Sequence, residues 1–145
     1  MEFDKTHVKI FVHTTAVDGY PPEEWESLWA TQVKPDRFKI DNIPFYAKNL
    51  SCDDIVEATR QGGDYVFKRV IEPSENSTIR VVLYDLADEA AIRRDLIGFG
   101  CAIEGTGTPG LIAVNVPKKS LEKVIDALEV AFAEDKLDFE EGALR

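Results

Sequence analysis

Three arrangements in this chain carry residue types that could do chemistry. The first is Gly105-Thr106-Gly107-Thr108-Pro109-Gly110, a literal G-x-G-x-x-G. A dinucleotide loop of that spelling follows a strand and opens a helix, whose N-terminal amides hold the pyrophosphate. Here the glycines run into LIAVNV, a strand pattern, and Pro109 removes one amide donor. The spacing therefore predicts a hairpin loop. The second arrangement is His7 and His13, six residues apart on one strand. They share a face but stand about 20 Å apart at the usual strand rise, too far to share a metal or a proton. Neither sits in a triad or an H-E-x-x-H pattern, so both read as solvent-facing. Cys52 and Cys101 fit no metal or redox spacing and no disulfide framework; both are expected to be reduced and at least partly buried. With 27 acidic residues, any chosen carboxylate pair is uninformative. No catalytic residue, metal ligand or cofactor follows from the sequence, and the expectation is a protein that is not an enzyme.

The third arrangement, DNIPFYAKNLSCDD over residues 41–54, concentrates two Asn, two aromatics, a Cys and three acids. Pro44 interrupts any central strand, because it lacks a donor and biases the residue before it. Ser51, Asp53 and Asp54 are side chains that cap backbone donors in turns. Phe45 and Tyr46 suit the end of a barrel. The stretch reads as a structural clasp, with Asp41, Asn42, Phe45, Tyr46, Asp53 and Asp54 as the second-choice binding region.

The elements that position these residues follow from periodicity. Val8, Ile10 and Val12 alternate with polar neighbours and predict a strand. Residues 14–26 are a connection with a short helical turn at 23–25. Residues 27–33 and 37–41 pair around Lys34-Pro35-Asp36, and 54–60 pairs with 64–72 across Gly62-Gly63. These short antiparallel strands suggest a small barrel-like lobe over residues 1–72. Over 73–145 the pattern changes to a strand at 78–84, a helix at 85–97 closed by Gly98 or Gly100, a hairpin of 101–104 with 111–116, and a last helix. That helix carries Leu121, Val124, Ile125, Leu128, Ala131 and Phe132 on one face. The fold class is α+β, with a ferredoxin-like βαββα unit after the barrel-like lobe, the two packed as one compact unit. The unit lacks its final strand unless 137–140, or a strand of the first lobe, supplies it.

Several local signatures occur in order: Ser27-Leu28-Trp29-Ala30, Asp41-Asn42-Ile43-Pro44-Phe45-Tyr46-Ala47, Asp54-Ile55-Val56 after Ser51, and Ser77-Thr78-Ile79-Arg80. Gly100-Cys101 and Val116-Pro117 follow. In this order they resemble a bacterial family, domain of unknown function number 4265. The resemblance implies a shared architecture and brings no reaction and no site residue.

Charge narrows the function classes. The chain of 145 residues has net charge −10, and half of it falls between Glu129 and Glu141, where six acids face one lysine. Nucleic-acid affinity rests on Lys and Arg neutralising phosphates, so no nucleic-acid partner is expected. No apolar run approaches the roughly 20 residues of a membrane span, and no basic-then-apolar signal precedes the first strand; the expected location is cytoplasmic. Acids at a helix C-terminus oppose the macrodipole, which motivates a functional reading of Glu129, Glu134, Asp135, Asp138, Glu140 and Glu141 as the partner-binding residues. The leading expectation is a non-enzymatic acidic binding protein that occludes a basic partner, concretely an immunity protein neutralising a secreted nuclease-like toxin. The alternatives are a small-molecule-binding regulatory domain or an enzyme, each using a cleft between the two lobes.

Overall fold

A computed structural model describes residues 7–17, 19 and 24–145. The chain divides into two compact units, Met1–Ser74 and Glu75–Arg145. In the first, five strands form a closed barrel in the order of the sequence: β1 (His7–His13), β2 (Trp25–Lys34), β3 (Arg37–Ile40), β4 (Ile55–Gln61) and β5 (Asp64–Glu72). Successive strands pair antiparallel, and β1 closes the barrel by pairing parallel to β5, Ile10 against Tyr65 and Phe11 against Val66.

Period-two alternation explains which residues enter the barrel. Ile10 and Val12, Leu28 and Ala30, Phe38 and Ile40, and Val56 and Ala58 are buried, while their odd-parity neighbours face out. The β4–β5 turn is the two-residue Gly62-Gly63, with φ of 59° and 94°. Positive φ at both central positions is what a type I′ hairpin requires and glycine permits. Two register shifts, at Ile55/Val56 and Glu57/Ala58, mark bulges that bend the sheet toward closure. Trp25 opens β2, so the helical turn expected there is replaced by strand; Glu23, Pro21, Pro22 and Asp18 lie outside the described residues.

The second unit runs β6 (Asn76–Leu83), α1 (Glu89–Gly98), β7 (Ala102–Gly105), β8 (Leu111–Pro117), α2 (Leu121–Ala133) and β9 (Leu137–Ala143). Its four strands form an antiparallel sheet in the order β7-β8-β6-β9. The strand that the sequence pattern left open is β9, which pairs along β6 from Leu83 to Thr78. Ile79, Val81, Leu83, Ile112, Val114, Val116 and Leu137 pack with Leu96, Val124, Leu128 and Ala131, so one sheet face and the two helices share a core.

Both helix ends have local causes. The helix expected from residue 85 begins as a 3-10 turn, Leu86–Asp88, capped by the Asp85 carboxylate accepting from the Ala87 amide at 2.9 Å. Gly100, at φ 93°, closes α1: its amide reaches Ile97 O and the Cys101 amide reaches Leu96 O, a Schellman pattern. The same pattern ends α2, with Asp135 at φ 63° where glycine is usual. One expectation on α2 fails. Phe132 is 51% exposed, not buried with the stripe. The buried line is Val124, Leu128 and Ala131, and Phe132 stands about 100° round the helix from Ala131.

Candidate functional site

The clasp at residues 41–54 is built around two carboxylates. The Glu26 side chain is 7% exposed and accepts three consecutive amides, Phe45 N at 2.5 Å, Tyr46 N at 3.1 Å and Ala47 N at 2.8 Å. Pro44 forces the loop off the strand path, and these amides have no ladder partner, so the carboxylate supplies their acceptor. Asp54, fully buried, accepts from Ser51 N at 2.9 Å and Ser74 N at 2.7 Å. Asn42 Oδ1 accepts from Trp29 N at 2.6 Å. Ala47 and Leu50 enter the barrel core, whereas Phe45 and Tyr46 are half-buried. Of the three acids in the stretch, Asp41 and Asp53 face solvent, Asp41 beside His7 Nε2 at 3.4 Å and Asp53 beside Lys39 at 3.8 Å.

The acids of the C-terminal region do not gather into one patch. Leu137 and Phe139 face the helix-side core, which turns Asp138 and Glu140 to the other face of the sheet. Glu129 lies exposed on α2, over the helix-bearing face. Three of the six have local duties. Glu140 Oε1 meets Nε of Arg80 at 3.1 Å, and that arginine is 2% exposed. Its guanidinium crosses above Gly142, where an added Cβ would sit 1.9 Å from Nη1. Asp135 turns the chain out of α2, and Asp138 accepts from the next amide, Phe139 N, at 2.7 Å. Glu141 is exposed.

Glu134, in contrast, stands at the mouth of a groove between α1 and α2. Ile92, Leu96, Phe99, Ala127, Leu128, Val130 and Ala131 line a space of about 300 Å3, and Asp95, Glu134 and Lys136 form its polar end. The two alanines of α2 leave the room that larger residues would fill. Lys136 Nζ bonds Glu134 at 2.9 Å. That hydrogen bond, the Glu134 charge, and the weaker fields of Asp88 and Asp95 hold the ammonium above its ordinary pKa. Three carboxylates thus act on one cation, and of the charged residues that line the mouth two are acids and one is a lysine, Asp95 also meeting Arg94 Nε at 3.9 Å. Val130, 58% exposed, adds apolar surface beside it.

The remaining chemical candidates take structural places. The glycine loop joins β7 to β8, with Gly107 and Gly110 at φ 84° and 81°, and Thr106 Oγ1 accepts from Thr108 N at 3.1 Å. Both cysteines are free; burial pushes the Cys101 thiol up to about 11, so it is protonated at neutral pH. Among the described residues no group of three His, Cys, Asp or Glu is placed to hold a metal ion, and no helix is long and apolar enough to cross a membrane.

The family described as Domain of unknown function (DUF4265) matches residues 26–137. The chain belongs to that family. The DUF4265 span runs from Glu26, the centre of the clasp, to the first residue of β9. It includes the groove-lining residues and also Glu129 and Asp135, and leaves Asp138, Glu140 and Glu141 beyond its end. A crystal structure of a hypothetical protein from Neisseria gonorrhoeae is similar over 95% of each chain, with a TM-score of 0.79 and 23% identity, which shows a common fold. No curated protein matches.

Sequence reasoning missed Glu26, Asp88, Asp95, Lys136 and the tryptophans Trp25 and Trp29. The last pair was legible: Trp25, Ser27 and Trp29 alternate on one strand face, which a strand begun at residue 27 conceals.

Proposed function

We propose that this DUF4265 protein is a non-enzymatic acidic binding protein whose α1–α2 groove docks a basic, partly apolar segment of a partner protein. The observation that carries the reading is the groove itself, apolar along its length and ending in Asp95 and Glu134 beside Lys136, with Asp88 near enough to act on that lysine. Apolar surface supplies the holding energy and the excess carboxylate steers a cationic partner, raising its association rate. An immunity protein that occludes a nuclease-like toxin in the cytoplasm is the concrete form. The second unit, with its βαββαβ order and sheet order β7-β8-β6-β9, fits a ferredoxin-like unit whose helices present this groove.

The test uses the basic proteins encoded beside the gene. Stopped-flow association is measured with the wild-type protein and with Asp95→Lys/Glu134→Lys. The double variant is expected to associate at least about tenfold more slowly at low salt and to differ less at high salt. Equal rates for the two proteins, or no binding by any neighbour product, would remove the groove from the reading. A groove of this size also reaches the lower end of small-ligand pockets, which supports a regulatory small-molecule site as the second reading. A metabolite that raises the melting temperature of the wild type and not of Val130→Glu would favour it.

A further inference from the structure

The outer face of the barrel holds two tryptophans in nearly equivalent places. Trp25 and Trp29 lie four residues apart on the solvent side of β2, 45% and 44% exposed, opposite His13 and Lys9 of β1. Their surroundings differ. Over Trp29, His7 stacks at 4.7 Å with an interplanar angle of 22°, and Lys9 Nζ stands 5.0 Å from the ring centroid. Elsewhere on the barrel, Arg60 lies 5.4 Å from the Tyr65 ring. The barrel thus twice sets its own cation over an aromatic ring, where the negative π face attracts positive charge.

Trp25 has no such cation among the described residues. His13 meets it at 5.0 Å and 81°. Trp25 instead lines a cavity of about 370 Å3 with Phe11, Val66, Gln61 and Asp64. Parallel pairing of Phe11 with Val66 sets the two apolar side chains beside each other, and the Gly62-Gly63 turn brings Gln61 and Asp64 to one end. Asp64 makes no ion pair among the described residues, although His7, His13, Lys39 and Arg69 each meet a carboxylate. Two aromatic side chains, a carboxylate without a cation and an amide oxygen form the set that a flat, hydrogen-bonding cation needs. A guanidinium satisfies it better than an ammonium, because it stacks on a ring while donating in its own plane.

We propose that Phe11, Trp25 and Asp64 form a receptor for an arginine side chain presented by a partner protein. This site lies on the barrel and is independent of the α1–α2 groove. The carboxylate sets the requirement for charge, and the indole and Phe11 select a planar group over a compact hydrated one.

The test is an NMR titration of the full-length, nitrogen-15-labelled protein with N-acetyl-arginine amide. N-acetyl-citrulline amide, its neutral isostere, is the control. The arginine compound is expected to shift the Trp25 indole N–H and the Asp64 amide in a saturable way, leaving the Trp29 indole in place. The citrulline compound should need at least about fivefold higher concentration for the same shift, the scale of one exposed cation–π contact with one ion pair. Asp64→Asn, at an exposed hairpin position, should reduce the preference of arginine over citrulline to about twofold, the part left to the cation–π contact, while the spectrum stays folded. Trp25→Phe should retain part of the binding and Trp25→Ala none. Equal responses to the two amides, or shifts confined to α1 and α2, would overturn the proposal; the second result would assign the cation preference to the groove.

Discussion

The acids of the clasp and the acids of the C-terminal region have the same chemistry and opposite fates. Glu26 and Asp54 are buried; Glu26 collects three amides from the loop that Pro44 keeps out of the sheet, and Asp54 joins Ser51 N of that loop to Ser74 N beyond β5. Glu129, Glu134 and Glu141 are exposed, and Asp138 and Glu140 face away from the helix layer. A carboxylate that closes several orphan donors is part of the fold. A carboxylate on a helix end or an outward strand position is free to set the field at the surface. Acid count alone does not separate the two, and the thirteen residues richest in acid contain both kinds. Glu140, facing the buried Arg80, belongs with the clasp acids in this respect, and Glu134, at the groove mouth, is the surface kind.

Substitutions can sharpen or break this contrast, beginning with the largest expected effect. Glu26→Ala leaves three amides of the clasp without their acceptor. At about 1–3 kcal/mol for each stranded buried donor, with solvent relieving part of it, the loss should be about 3–5 kcal/mol in urea denaturation. A loss below about 1 kcal/mol would mean that the loop finds other acceptors and that the carboxylate is not its keystone. Asp135→Gly should act in the opposite direction. The residue sits at φ 63°, where glycine has no Cβ penalty, and the variant should gain about 0.5–1 kcal/mol as a rise in melting temperature. Destabilisation there would show that the Asp135 side chain, and not only its backbone, holds the end of α2. Glu141→Lys, at an exposed strand position, should stay within about 0.5 kcal/mol of the parent. A change above 1 kcal/mol would move Glu141 into the structural group with Glu140.

Much of the architecture was legible in the sequence because local physics encodes it. Period-two alternation marks β1, the glycine pair marks the β4–β5 turn, and the stripe of Leu121, Val124, Ile125 and Leu128 marks α2. Strand context likewise identified Gly105–Gly110 as a hairpin loop, since no helix pattern follows it. The polar clasp was legible as a clasp, but its central residue was not. Glu26 lies 19 to 21 residues from the amides it accepts, and only the register of β2 in the closed barrel brings them together. The same holds for the site candidates. Alternation along β9 put Asp138 and Glu140 on the face away from Glu129, dividing a run that is continuous in the chain. The placing of α1 and α2 over one sheet face set Asp95 beside Glu134 and Lys136, and barrel closure set Phe11 next to Val66 and within one cavity of Trp25 and Asp64. Local propensity depends on near neighbours and is written residue by residue. Which donor meets which acceptor, and which charges share a field, depends on contacts between distant segments, and tertiary structure alone decides them.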